Sequence, residues 1–181
     1  MKLICLAGFA RVGKDTVGTF LSEEFGYQRV AIADPLKEAV QRKFQLSSAQ
    51  IDGSEKDEVD PRWDRSPRQL FVEEGQLWRS RDPLMVVQAW ADRVRFLSAD
   101  SHLGVVCPDV RRIIEYDYAR SVGASIWIVR RPGFDEIGRG QPEQQDNQVA
   151  HLADTCFDAV IDNNHEPEEL HAVVREWLMG K

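Results

Sequence analysis

Short apolar runs alternate along the chain with stretches in which apolar residues recur every three or four positions. The runs are LICLA (3–7), RVAIA (29–33), GVVC (104–107), SIWIV (125–129) and DAVI (158–161). They are rich in β-branched residues and show little polar alternation, the pattern of strands covered on both faces. Between them, KDTVGTFLSEEF sets Val17, Phe20, Leu21 and Phe25 on one helical face. DPLKEAVQRKF opens with Asp34 as a cap and Pro35 at the first helical position, both favourable there. RRIIEYDYARSVGA predicts a helix closing at Gly123, and EPEELHAVVREWL a last helix with Leu170, Val173, Val174 and Trp177 on its stripe. Two more helices, near 67–78 and 84–98, interrupt the alternation between the second and third strands.

Alternating strands and helices predict an α/β fold with a mostly parallel five-stranded sheet and right-handed crossovers. The helical insertion, at about 45–100, would cap one end of that sheet. Two polar stretches, 47–66 and 133–148, read as long loops of the kind that serve as substrate lids, with a lid at about 131–150.

Composition narrows the class. A chain of 181 residues, 43% hydrophobic and 29% charged, fits one soluble domain. Its net charge of −7 argues against a grip on nucleic-acid polymers, yet leaves room for a small anionic ligand held by a local cluster of cations. Three widely spaced cysteines, Cys5, Cys107 and Cys156, form no metal or redox motif and point to a reducing cytoplasm. No stretch approaches membrane-spanning length, and the four histidines show no ligand spacing.

The chemistry concentrates in GFARVGKDT, from Gly8 to Thr16. A strand runs into Gly8 and a helix begins near Lys14, the setting that a G-x-x-x-x-G-K phosphate loop requires. There Gly8, Arg11, Val12, Gly13, Lys14, Asp15 and Thr16 would surround a triphosphate, with Lys14 reaching its terminal phosphates. The usual hydroxyl after the lysine is replaced by Asp15. A carboxylate there would repel the triphosphate unless a cation lay between them, so Asp15 and Thr16 are the candidate Mg²⁺ ligands and ATP with Mg²⁺ the expected cofactors.

GKDT in such a loop resembles the bacteriophage-type deoxynucleoside monophosphate kinases, with phosphomevalonate kinase as a more distant relative. Arg11 falls where that family carries a basic residue. ADPLKEAV (33–40), IDGSEKDEVDPRWDRSPRQLF (51–71), VVCPDVRRIIEYDYARSVGASIWIVRRPG (105–133) and FDAVIDNNHEPEEL (157–170) are similar to further family segments in the same order. The chain departs from the pattern at VEEGQLWRSRD (72–82), where the family has a glutamine and a G-T-[DE] turn, and at His151, which lacks the glutamate three residues on. The resemblance implies a three-layer P-loop kinase domain over 1–181, with Arg111 against an acceptor phosphate and Arg131 matching the family's R-P-G.

Other candidates rest on their positions. Asp109 ends the third strand, where it would face the ligand crevice or cap a helix starting at Arg111. Arg130 and Arg131 follow the fourth strand, where guanidinium groups would spread the charge of a transferring phosphoryl group. Asp34, Lys37, Arg68 and Arg79 flank the cap, and Arg68 sits at a helix start, where a cation is misplaced unless it faces an anion.

These features imply transfer of the ATP γ-phosphoryl group to a (deoxy)nucleoside monophosphate in the cytoplasm, the host's if the chain is phage-encoded. Another phosphorylated small molecule, a modified base in DNA, or a slow ATP-hydrolysing switch are the alternatives. The base, the sugar and homodimerisation are left open.

Overall fold

All five apolar runs supply strands, and every pairing among them is parallel. The computed structural model of the chain describes residues 2–100, 104–134, 147–164 and 167–180. Its strands are β1 (Leu3–Ala7), β2 (Gln28–Arg29), β3 (Val105–Cys107), β4 (Ser125–Arg130) and β5 (Ala159–Asp162), in the order β2-β3-β1-β4-β5. The helices are α1 (Lys14–Phe25), α2 (Asp34–Phe44), α3 (Ser48–Asp52), α4 (Pro67–Arg81), α5 (Met85–Asp100), α6 (Ile113–Ser121) and α7 (Pro167–Met179). Chain order leaves β1 toward β3 on one side and toward β4 on the other, so the strand order reverses at β1. Ligands of open parallel sheets bind beyond the carboxyl ends of the strands at such a point.

The chain forms two compact units, Met1–Ala31 with Val94–Lys181, and Ile32–Arg93. In the first, Ile4, Leu6, Trp127, Val129, Ala159 and Ile161 line one sheet face and pack with Val17, Phe20 and Leu21 of α1 and Leu170 and Val174 of α7. The alternate residues Leu3, Cys5, Ala7, Ile126 and Ile128 are buried too, and α6 packs on β4. Burial on both faces explains why these strands lack polar alternation, and the result is a three-layer α/β/α arrangement. Cys5 and Cys107 sit opposite each other in the β1–β3 register as buried free thiols.

The second unit has its own core of Leu36, Val40, Leu46, Ile51 and Leu70, with Phe44, Phe71 and Trp78 packed against it. It begins at Ile32, ahead of the 45–100 span read from the sequence. Among the described residues, no helix is long and apolar enough to cross a membrane.

Four local expectations change. The run 29–33 is a strand only to Arg29, because its partner β3 has three residues and leads into Pro108; the last sheet bond is Val30 N–H to Val106 O. Asp34 is not the cap of α2: the cap position is Ala33, without a side-chain bond, and Asp34 lies inside the first turn. The stretch 47–66 is no open loop. Ser47 and Gln50 form a capping box for α3, a 3-10 turn follows at Ser54–Asp57, and Asp60 bridges to Arg65. The buried Asp60 carboxylate accepts from Arg62 and from Gln50 Nε2 (2.8 Å), and the Arg62 guanidinium holds it well below the usual carboxylate range. Polar residues here bond one another, which hydrophobic spacing does not reveal. Lastly, α6 starts at Ile113 with Arg112 at its cap position, so Asp109 caps no helix. Residues 135–146, most of the expected lid, lie outside the described residues.

Candidate active site

The turn from β1 into α1 is held in a conformation that glycine makes accessible. Gly8 (φ +132°) and Gly13 (φ +103°) occupy backbone regions that L side chains rarely adopt. A Cβ on Gly8 would meet Val129 O at 2.4 Å, and one on Gly13 would meet Asn163 Nδ2 at 2.4 Å. Arg11, at the exposed tip, is left-handed as well (φ +64°). Gly13 takes the N-cap of α1 without a side-chain bond, leaving the first-turn amides to another acceptor.

Lys14 folds back over this turn. Its Nζ donates to Gly8 O (2.9 Å) and Phe9 O (2.5 Å). Burial, followed by the nearby Arg111 charge, lowers its pKa to about 8, against the opposing pull of Asp15 and Asp109. Residues about a hundred positions apart thus share one electrostatic neighbourhood: Lys14, Asp15, Asp109 and Arg111. Val12 is buried in the core beneath, and Thr16 is exposed beside Asp15.

Asp15 is exposed and accepts from Arg29 Nη2 at 2.6 Å. That arginine is a partner for the odd carboxylate that the loop motif alone did not indicate. Asp109, at the carboxyl end of β3, accepts from the Cys107 thiol at 3.4 Å. The backbone amides of Arg111 and Arg112 both donate to Glu115, whose carboxyl burial pushes up.

The two arginines after β4 differ. Arg130 donates to Ala150 O, Leu152 O and Asp154, straps that segment down, and so has a structural task. Arg131 is exposed, with its guanidinium 4.7 Å from the Phe134 ring centre.

The second unit carries its own cationic group. Lys37 pairs with Asp52 (2.6 Å), and Arg68 pairs bidentately with Asp57. Lys56, which sequence reasoning did not single out, has its pKa lowered by burial and then by Arg68 and Lys37, against Asp52 and Asp57. The polar stretch 47–66 around it read as a long loop, and only the fold brings α2, the 3-10 turn and α4 together. Arg79 belongs to α4 a turn beyond Gly75, over which its guanidinium lies.

The profile of the "Deoxynucleotide monophosphate kinase" family matches residues 2–62, which contain the whole loop. The "Putative deoxynucleotide monophosphate kinase" of Acanthamoeba polyphaga mimivirus is 28% identical over 187 residues, covering 96% of this chain and 94% of its own. The chain resembles the deoxynucleotide monophosphate kinases. Among solved structures, dephospho-CoA kinase from Campylobacter jejuni aligns at a TM-score of 0.59 with 11% identity, covering 99% of this chain and 96% of its own. Shikimate kinase from Acinetobacter baumannii aligns at 0.52 with 14% identity, covering 99% and 93%. The chain therefore shares the three-layer α/β/α fold of these two kinases, with its five-stranded parallel sheet.

Proposed function

We propose that the chain is a nucleoside monophosphate kinase that transfers the γ-phosphoryl group of ATP to the phosphate of a (deoxy)nucleoside monophosphate. The observation that carries this reading is Lys14: an ammonium group held against Gly8 O and Phe9 O, at an uncapped helix start, with Arg111 and Asp109 in its field. Phosphoryl transfer needs positioning and charge neutralisation more than covalent help, and this cluster supplies both.

The donor set suits Mg²⁺. Among the described residues no three acids, histidines or cysteines cluster, and this ion does not need them, because it takes one or two carboxylates together with substrate phosphates and water. Asp15 and Thr16 would hold it, exposed as they are at the first turn of α1. When bound, Mg²⁺ supplies charge neutralisation across the phosphates.

The residues divide the work. Loop amides from Gly8 to Gly13 and the α1 terminus bind the donor phosphates, and Lys14 exchanges its carbonyl partners for them. Arg131 spreads charge on the transferring group, and Asp109 orients the acceptor side. Arg111, Arg68, Lys37 and Arg79 bind the acceptor nucleotide, and Lys56 joins them because Lys37 and Arg68 crowd its charge. Asp34, in the first turn of α2, contacts the acceptor's uncharged groups.

A coupled ADP-release assay over a panel of ribo- and deoxyribonucleoside monophosphates tests this reading. Release stimulated by one of them is the expected result. Slow release indifferent to every acceptor would indicate a nucleotide-dependent switch, and stimulation only by other phosphorylated molecules a different kinase.

A further inference from the structure

Two buried asparagines hold the phosphate loop from outside it. Asn147 Nδ2 donates to Gly8 O at 2.9 Å, and Asn163 Nδ2 donates to Val12 O at 2.8 Å. The side chains lie 139 and 151 residues along the chain from the carbonyls they serve. A carbonyl only accepts, so each amide must present its nitrogen. Both anchors are themselves fixed. Asn163 N–H donates to Arg130 O (2.8 Å), extending the β4–β5 ladder by one bond. Asn147 precedes a 3-10 turn tied down by Val149 N–H to Arg111 O (2.9 Å).

We infer that Asn147 and Asn163 are positioning residues that preform the nucleotide-binding conformation of the loop and release Lys14 to the nucleotide. The inference rests on the donor-site reading above. Gly8 O accepts from both Lys14 Nζ and Asn147 Nδ2, one donor for each lone pair. When Lys14 turns to a phosphate, Asn147 keeps that buried carbonyl bonded, so the lysine leaves without orphaning it. Asn163 fixes the other end of the loop, in the space that a side chain at position 13 would fill. A loop held in its binding shape before the ligand arrives loses less freedom on binding.

Stability alone does not account for Asn147. Its Oδ1 is buried and has no partner among the described residues, an arrangement that costs free energy and that an apolar residue would avoid.

The test measures binding of a non-hydrolysable ATP analogue by calorimetry, well below the melting temperature. The chains compared are wild type, Asn147→Ala, Asn147→Asp, Asn163→Ala, Asn163→Ser and Val174→Ala, a core variant that removes neither asparagine bond. About a tenfold loss of affinity is expected in each asparagine variant, with Asn147→Asp, which keeps the shape and discards the donor, at least as weak as Asn147→Ala. Val174→Ala should lower the melting temperature and leave the affinity alone. Wild-type affinity in the folded asparagine variants would overturn the inference, as would a set in which none of them folds, since the asparagines would then serve the fold only. If wild type itself binds no analogue, the donor-site reading fails instead.

Discussion

Arg29 Nη2 donates to Asp15 Oδ1 across 2.6 Å, tying β2 to the first turn of α1. Both side chains are largely exposed, at 49% and 84%, and such pairs contribute about 0–1 kcal/mol. Asp15→Ala should therefore leave the urea midpoint nearly unchanged. It should reduce Mg²⁺-dependent turnover well beyond any loss of nucleotide affinity, because the carboxylate is assigned to the metal. Equal turnover by wild type and variant across a Mg²⁺ titration would remove that role and leave Asp15 its pairing with Arg29.

Lys14 makes the stability of the folded chain depend on alkaline pH. Its folded pKa, about 8, lies below the ordinary 10.5, so between those values the unfolded chain binds more protons. The cost of burying its charge is fully present below pH 8 and is relieved as pH rises toward 10.5. Relative to Lys14→Met, wild type should gain on the order of 1–3 kcal/mol from pH 7.5 to pH 10.5, and nothing between pH 6 and 7. Urea melts of both chains across that range measure the difference; a flat difference would mean that Lys14 titrates normally.

Glycine substitutions separate loop geometry from ordinary turn geometry. Gly123 has φ +81° with nothing within 4 Å of a built Cβ, so Gly123→Ala should cost about 1 kcal/mol from backbone strain alone. Gly8→Ala adds a 2.4 Å collision with the backbone oxygen of Val129, which has no rotamer to retreat into. Its cost should be at least twice as large, and it should abolish analogue binding. Equal unfolding midpoints for the two variants would contradict the geometry.

What the sequence disclosed tracks the range of the interaction. Strands β1, β3, β4 and β5 were legible because burial on both faces writes itself into consecutive residues. Helix α1 was legible from periodicity, and α2 from Pro35 at its start. The loop was legible because its amides, glycines and lysine are neighbours in the chain. Asn147 and Asn163 were not, since a partner more than a hundred residues away leaves no spacing to read. Asp60 was hidden for a different reason: a buried acid bonded by Arg62 and Gln50 has the composition of an exposed loop. β2 fell short because its length is set by β3, not by its own residues.

Lys56 sits in a field that burial, Arg68 and Lys37 make unfavourable against the pull of Asp52 and Asp57, and the acceptor role proposed above gives its charge a use. Lys37 and Arg68 lower its pKa beyond the effect of burial, so its charge is held at some expense at neutral pH, when the ordinary value is 10.5. An acceptor phosphate beside it would reverse the sign of the local field and restore the ordinary charged form. Lys56→Met should therefore be at least as stable as wild type at pH 7. It should raise the half-saturating acceptor concentration by about tenfold or more, as loss of a charge-assisted bond does, with the ATP value unchanged. Lys43→Met is the control: Lys43 is half exposed, pairs with Glu74 at 2.5 Å, and is expected to move neither. A gain in stability with a selective loss of acceptor binding is the signature of a residue kept for its ligand. If Lys56→Met instead unfolds more readily and binds acceptor normally, the cationic group of the second unit is structural.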